Sequence, residues 1–156
     1  MWTNGDKRNV SAASIAALTA EQVAQSCKIL PEVQAWTTEA ATVLAPMRVG
    51  NSPAVWGTAV HTYVREKIDA LKQQFPHVYA NVWAEISFDS QNRATGYGKL
   101  DSTRLDVFEE LPDTICIYDI KTGDAKLSDK RVNRLAGIAA QHGKSTFFIV
   151  EVRPLE

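Results

Sequence analysis

The stretch Thr114-Ile115-Cys116-Ile117-Tyr118-Asp119-Ile120-Lys121 decides the fold of this chain. Its body is apolar at successive positions, which is typical of a central strand that is buried on both faces. Asp119 and Lys121 stand two residues apart and therefore project from the same face at the polar end of the strand. The stretch predicts a buried strand that ends in a paired carboxylate and ammonium group.

The flanking sequence predicts a mixed sheet between helices, an α/β fold. Helical patterns cover 11–27, 32–44 and 54–73, and a loop at 48–53 lies before the third of them. Strand patterns cover 82–88, 104–108 and 146–152. A further helix begins at Ser128 or Asp129, and it makes the strands before and after it parallel neighbours. We expect two parts, a helical extension over 1–50 and a sheet-containing domain over 51–156.

Two of these elements carry details that bear on a site. In the strand at 82–88, Val82, Ala84, Ile86 and Phe88 alternate with polar or bulky residues and predict one apolar face, with Glu85 on the other face. In the helix at 54–73, His61 lies at the edge of the apolar stripe and Glu66 projects away from it. Glu85 and Glu66 are therefore the acidic residues that the upstream elements offer.

Composition excludes several classes of protein. The chain has 156 residues, 45% hydrophobic and 22% charged, as expected for a globular chain with a substantial core. No apolar run reaches the length of a membrane span, and the first residues lack the apolar centre of a signal peptide. The net charge is −1, yet the segment 121–144 carries six cations and two anions. That segment predicts a surface that faces phosphates, with an ordinary solvated helix face as the alternative.

The two cysteines, Cys27 and Cys116, stand far apart in the sequence and form no cluster. Such a pair is not a disulfide framework, so we expect both thiols to be reduced.

Asp106 lies thirteen residues before Asp119, in a strand pattern that a short turn at 111–113 connects to the central strand. Two adjacent antiparallel strands can bring these carboxylates together, and a hard cation such as Mg²⁺ or Mn²⁺ would relieve their repulsion. Glu85 on the preceding strand is a third carboxylate, and Lys121 is a nearby base. Such a cluster could orient a water molecule for attack on phosphorus.

These residues resemble the active-site pattern of the PD-(D/E)XK nuclease superfamily. The longer strings 97–107, 117–123 and 151–154 are similar to restriction-endonuclease-fold toxin domains of Rhs and other polymorphic toxins, including type VI secretion effectors. Gly57-Thr58-Ala59-Val60-His61 also resembles a helical segment of RecB-like nucleases. The resemblance covers about residues 54–154 and implies a restriction-endonuclease-like mixed sheet flanked by helices.

The resemblance implies a role for each matched residue. Asp106 and Asp119 are expected to bind the metal, and Lys121 to position the attacking water. Glu85 is the first choice for the further acidic ligand and Glu66 the second, while Asp101 is a rival to Asp106. Expected supporting or substrate-binding residues are His61, Arg104, Lys130, Arg134 and Gln141.

The function that follows is a Mg²⁺- or Mn²⁺-dependent nuclease, a deoxyribonuclease toxin secreted into a target bacterial cytoplasm and neutralised by an immunity protein. RNA is the alternative substrate. Two rivals from other classes are a catalytically inactive nucleic-acid-binding domain and an interaction module whose acidic half docks a basic partner. The first would bind nucleic acid with strong salt dependence and no cleavage, and the second would not bind it at all.

Overall fold

A computed structural model describes residues 2–3, 14–15, 20–96 and 98–155. Within this part of the chain, seven strands form one mixed sheet in the order β2-β1-β7-β6-β5-β3-β4. The strands are β1 (Trp2–Thr3), β2 (Ser14–Ile15), β3 (Val82–Phe88), β4 (Ala94–Thr95), β5 (Thr103–Glu110), β6 (Thr114–Ile120) and β7 (Thr146–Val152). The pair β6–β7 is parallel and the other pairs are antiparallel. The predicted α/β class and the predicted parallel pair are confirmed.

Four helices accompany the sheet in the described residues: α1 (Ala20–Ala24), α2 (Leu30–Val43), α3 (Pro53–Gln74) and α4 (Asp129–Ala140). A short 3₁₀ turn, Ala45–Arg48, joins α2 to the loop before α3. The side chains of Ser52 and Ser128 accept hydrogen bonds from the backbone N–H groups of Val55 and Arg131, at 3.2 and 3.1 Å, and so cap α3 and α4. The predicted starts of both helices are therefore confirmed. No helix in the described ranges is long and apolar enough to cross a membrane.

The central strand β6 separates two apolar clusters. Cys116, Tyr118 and Ile120 pack on one face with residues of α1, α2 and α3, whereas Ile115 and Ile117 pack on the other face with α4. All seven residues of β6 are buried, as the apolar run predicts. The sheet is consequently covered on both faces at the strand that carries Asp119.

The helix predicted over residues 11–27 is confirmed at Ala20–Ala24 and wrong at Ser14–Ile15. Ser14–Ile15 form a strand, and α1 spans only Ala20–Ala24. Residues 11–13 and 16–19 lie outside the described part of the chain. An alanine-rich stretch favours a helix locally, but backbone pairing within the sheet outweighs that weak preference at Ser14 and Ile15.

The prediction that both cysteines are reduced is also wrong. Cys27 and Cys116 form a disulfide across 89 positions of sequence, with their Cα atoms 5.9 Å apart. The turn between α1 and α2 packs directly on β6, and this tertiary contact brings the two residues within bonding distance. Spacing in the sequence carries no signal for such a pair.

The single apolar face predicted for β3 does not form. Val82 and Ala84 pack in the α3-side cluster, whereas Ile86 and Phe88 pack in the α4-side cluster. Between them Glu85 has a φ of 55°, in the left-handed region that strand residues rarely adopt. Because of this backbone conformation, the apolar side chains before Glu85 and those after it point to opposite faces of the sheet. The alternation in the sequence therefore does not correspond to one apolar face.

The helical segment before residue 50 shares its core with the rest of the chain. Its buried side chains, among them Val23, Leu30 and Val33, belong to the same cluster as Val60 of α3 and Tyr118 of β6. The boundary at residue 50 between two parts of the chain stays a prediction. What the structure shows is a helical segment packed on the sheet.

Candidate functional site

The strands β5 and β6 separate at one end, and the carboxylate of Asp106 occupies the gap. Their ladder runs from Glu110 opposite Ile115 to Val107 opposite Tyr118 and stops there. Beyond that point the backbone N–H of Ile120 donates to Asp106 Oδ2 at 2.7 Å instead of to a strand carbonyl. A side chain thus replaces one rung of the ladder, and this opening brings Asp106 close to the end of β6.

Asp119 lies at this opening between two cations. Lys121 Nζ is 2.9 Å from Asp119 Oδ2, and Arg131 Nη2 is 3.3 Å from Oδ1. The aspartate side chain is only 2% exposed, so both cations stabilise a charge that water scarcely reaches. Oδ2 accepts no hydrogen bond of acceptable geometry despite its short distance to Lys121. Both oxygens of Asp119 therefore face a cation, Lys121 at Oδ2 and Arg131 at Oδ1.

His61 connects α3 to the same opening. Its Nε2 lies 2.8 Å from the carbonyl oxygen of Ile120, to which it donates because a carbonyl can only accept. Its Nδ1 lies 3.8 Å from Asp106 Oδ1. The imidazole therefore lies between the carboxylate of β5 and the backbone that joins Asp119 to Lys121.

The pKa of Asp106 is raised above its usual range. Burial of the carboxyl is the largest cause, and the nearby charge of Asp119 adds to it, whereas His61 and the Ile120 N–H act in the opposite direction. The charge of Asp119 thus adds to the cost of ionising Asp106 in this partly dry opening. A cation between them would remove that cost.

Glu85 approaches this region from β3 but is paired elsewhere. Ala84 lies opposite Val107 and Ile86 opposite Leu105, which places Glu85 opposite Asp106. Its carboxylate Oε2 accepts a hydrogen bond of 2.9 Å from Arg65 Nη1 on α3.

The other acidic candidates lie away from this opening. Glu66, the second choice for the acidic ligand, is exposed on α3. Asp101 is exposed in the loop before β5, with a φ of 60°. The structure therefore brings together Asp106, Asp119, Lys121 and His61, with Glu85 held beside them by Arg65.

A cleft of about 630 Å³ opens next to Lys121. One wall is the start of α3 with Arg48 and His61, and the other is the loop 121–125 that follows β6. Helix and loop approach closely at Gly57, where an added Cβ would lie 3.0 Å from Thr122 Oγ1. The cleft has room for a group of nucleotide size, and Lys121 and His61 are the members of the candidate site that line it.

The residues predicted on and around α4 have different positions. Arg134 is half-buried and bonds Thr103 Oγ1, the side chain of Asn92 and the carbonyl of Asp89, so it ties the β3–β4 hairpin to α4. Gln141 is exposed at the carboxyl end of α4, about 15 Å along the helix from Arg131. Lys130 and Arg104 are exposed, and the Arg104 carbonyl accepts a hydrogen bond from Arg131. Of the predicted α4 residues, Lys130 and Gln141 are exposed, whereas Arg134 is bound to the β3–β4 hairpin.

Two site residues escape sequence reasoning. In the sequence Arg131 is one of the six cations of the basic segment 121–144 and lies on the apolar side of the predicted helix, yet its guanidinium bridges the Arg104 carbonyl and Asp119 across the open ladder. Arg65 follows His61 by four residues, a spacing that places both on one helix face. For Arg65, that spacing is the only signal in the sequence. For Arg131, the signal is its position in the first turn of the helix that follows the Asp-x-Lys strand.

In the part of the chain that the structure describes, no group of three or more His, Cys, Asp or Glu side chains is arranged to hold a metal ion. Comparisons with protein-family models, with curated proteins and with solved structures find no match to this chain.

Proposed function

We propose that this chain is a metal-dependent nuclease that hydrolyses phosphodiester bonds, with the restriction-endonuclease-like fold that its sequence resembles. The observation that carries the proposal is the opening between β5 and β6, where Asp106 and Asp119 come together and Lys121 Nζ lies 2.9 Å from Asp119. Two acids and a lysine at the end of a buried strand form a costly arrangement for a purely structural role.

The donor set fits a magnesium ion. Asp119 Oδ2 is buried and accepts no hydrogen bond of good geometry, so a bound ion would share this oxygen with Lys121 Nζ, which lies 2.9 Å away. Carboxylate oxygens are the ligands that Mg²⁺ prefers. Because Mg²⁺ keeps several of its waters, one or two carboxylates suffice to bind it, and a third protein ligand is not required. Asp106 and Asp119 would hold the ion, with Mn²⁺ as a substitute. The bound ion would supply positive charge to the phosphoryl oxygens as negative charge builds there.

The chain's own groups account for the remaining steps. The ammonium of Lys121 donates hydrogen bonds and can orient a water molecule toward a phosphate in the adjoining cleft. His61 holds the Ile120 carbonyl and so fixes the backbone between Asp119 and Lys121. Arg131 forms an ion pair with Asp119 from the α4 side, with Nη2 3.3 Å from Oδ1. Glu85 as a metal ligand stays a prediction, since Arg65 binds its carboxylate in this structure.

DNA is the substrate that we propose, with RNA as the alternative. The wider role that the resemblance implies, a secreted toxin that acts in a target bacterial cytoplasm and is neutralised by an immunity protein, belongs to the same proposal. Growth of bacteria that express the wild-type chain tests it, since loss of growth is expected and Asp119→Asn should restore growth.

The direct test incubates the purified chain with supercoiled plasmid and with structured RNA, in Mg²⁺, Mn²⁺ or EDTA. We expect metal-dependent nicking of the plasmid that Asp119→Asn and Lys121→Met abolish. Asp69→Asn and Lys126→Met are the matched controls because both side chains are exposed and neither residue lines the cleft or belongs to the acidic pair. Full activity in Asp119→Asn would contradict the assignment, and cleavage of RNA alone would change the substrate.

One observation favours a second function, a catalytically inactive nucleic-acid-binding domain. Glu85 is neutralised by Arg65, and the described residues hold no three-residue metal cluster. This alternative predicts salt-dependent binding of DNA without any metal-dependent product.

A further inference from the structure

The disulfide Cys27–Cys116 joins the turn between α1 and α2 to the strand that carries the candidate site. Cys116 lies three residues before Asp119 on β6. Cys27 lies at the end of a short segment, residues 20–29, that we name the latch segment. The bond therefore connects the latch segment covalently to the middle of the central strand.

A carboxylate beside the disulfide holds the same segment. Glu109 lies directly opposite Cys116 in the β5–β6 ladder. Its Oε2 accepts a hydrogen bond of 3.2 Å from the backbone N–H of Ile29, and its Oε1 accepts one of 2.6 Å from the hydroxyl of Tyr118. The disulfide at Cys27 and the hydrogen bond at Ile29 therefore hold the latch segment at positions within three residues of each other.

Apart from these attachments, the latch segment contributes the side chains of Val23 and Ile29 to the core. The helix α1 has five residues, too few to be stable alone, and buries only Val23. The next helix, α2, contributes Leu30, Val33 and Ala40 to the α3-side core. Opening of the latch segment therefore leaves the larger helix in place.

Both cysteines are fully buried, at 0% exposure. A thiolate attacks a disulfide sulfur directly, so the latch segment must open before a reductant can reach this bond. The burial makes opening and reduction successive events.

We propose that Cys27–Cys116 is a redox latch. The oxidised bond keeps the end of β6 in its active arrangement, and its reduction by a dithiol releases the latch segment. One dithiol transfers two electrons and two protons, its own sulfurs become a disulfide, and Cys27 and Cys116 become thiols. The freed segment then ceases to pack on Tyr118 and Cys116, so the strand that ends in Asp119 and Lys121 loses support. The effect on activity rests on the proposed nuclease function, whereas the opening of the segment does not.

The test compares the full chain before and after treatment with dithiothreitol, without denaturant. Thiol titration is expected to find none before treatment and both of the chain's two cysteines after it. Hydrogen exchange read by mass spectrometry should accelerate about tenfold or more in residues 20–29, while α3 and α4 keep their protection. Tm should fall by roughly 10–15 °C, because the bond closes a loop of about 90 residues. Plasmid nicking at 37 °C should fall by about tenfold.

Two sets of variants complete the design. Cys27→Ser with Cys116→Ser should match the reduced protein and ignore dithiothreitol, which controls for effects of the reductant on the metal. If that variant does not fold, reduction of the wild type still decides the question. Glu109→Gln should accelerate reduction several-fold because charge-assisted hydrogen bonds are about twice as strong as neutral ones. Glu110→Gln is its control, since Glu110 points to Lys144 at 3.6 Å and not to the latch segment.

Three results would overturn the proposal. Two free thiols in the untreated, air-oxidised protein would remove the bond itself. Exchange that accelerates equally throughout the chain would show a cross-link that stabilises the whole fold rather than a latch. Nicking that persists unchanged while residues 20–29 open would remove the link to the site. Absence of nicking in the oxidised protein would contradict the proposed function instead, and the exchange data would still decide whether the segment is a latch.

Discussion

Glu109 is the residue whose burial has the clearest consequence for pH. Its pKa is raised above the ordinary value of 4.5, chiefly because burial disfavours the carboxylate, while the hydrogen bonds from Tyr118 and Ile29 act in the opposite direction. Burial likewise raises the pKa of Tyr118, so its hydroxyl stays a donor to Glu109 across the ordinary pH range.

The sign of the effect on stability follows from that direction. The folded state holds the Glu109 proton more tightly than the unfolded state, so this group contributes stability below pH 4.5 and loses the contribution as pH rises through the folded pKa. We expect the free energy of unfolding of the wild type, relative to Glu109→Gln, to fall as pH rises across that window. Urea denaturation of both proteins between pH 4 and 8 measures the difference. A difference in the free energy of unfolding that stays constant from pH 4 to 8 would contradict the raised pKa of Glu109. The comparison with Glu109→Gln is needed because the raised pKa of Asp106 has the same sign.

Arg131 is the residue that most directly stabilises Asp119 from outside the strand. Arg131→Met should lower the free energy of unfolding by about 1–2 kcal/mol, because a buried carboxylate loses one of two cations and Lys121 remains. The neighbouring Lys130→Met is the control and should change stability by less than about 0.5 kcal/mol, since its side chain is exposed. Chemical denaturation of the two variants gives the comparison, and equal effects would show that the Arg131–Asp119 pair is energetically unimportant.

At the scale of elements, the close approach of α3 to the loop after β6 determines the shape of the cleft. Gly57→Ala should displace Thr122 by a few tenths of an ångström, because the new Cβ would lie 3.0 Å from Thr122 Oγ1. Since Thr122 adjoins Lys121, we expect nicking to slow by about tenfold.

Gly137 in α4 provides the control for this prediction. In Gly137→Ala on α4 the nearest atom to the new Cβ is Asn92 Nδ2 at 3.7 Å, an ordinary contact. That change should leave activity intact and stabilise the helix by up to about 1 kcal/mol. The test compares the nicking rates and Tm values of Gly57→Ala and Gly137→Ala. Equal activity of the two variants would show that the close approach of α3 to the loop at Gly57 does not position Lys121.

At the scale of the whole molecule, the helices before residue 50 complete the core instead of lying outside it. Val23, Leu30 and Val33 are almost fully buried against α3 and the sheet. A fragment that begins at residue 51 would expose the apolar faces of α3 and β6 that these residues cover. We expect it to lack a cooperative thermal transition and to bind a hydrophobic dye, unlike the full chain. A cooperative transition in the fragment would support the predicted boundary at residue 50.

Elements that depend on local pattern are predictable from the sequence. The apolar run of β6, the stripe of α3, the start of α4 at Ser128 or Asp129 and the parallel return of β7 each follow from periodicity or from a rule of connection. The pairing of Asp119 with Lys121 follows for the same reason, since residues two apart on a strand share a face.

Features that depend on contacts between distant segments could not be predicted from local sequence. The Cys27–Cys116 bond, the pairing of Glu85 with Arg65 and the position of Arg131 between two strands each join segments that no local pattern relates. The left-handed backbone at Glu85 likewise reverses the faces of β3, and no glycine at this position indicates the reversal in the sequence. Local sequence records the preferences of a backbone over a few residues, whereas these features arise from which surfaces pack together when the chain closes on its core.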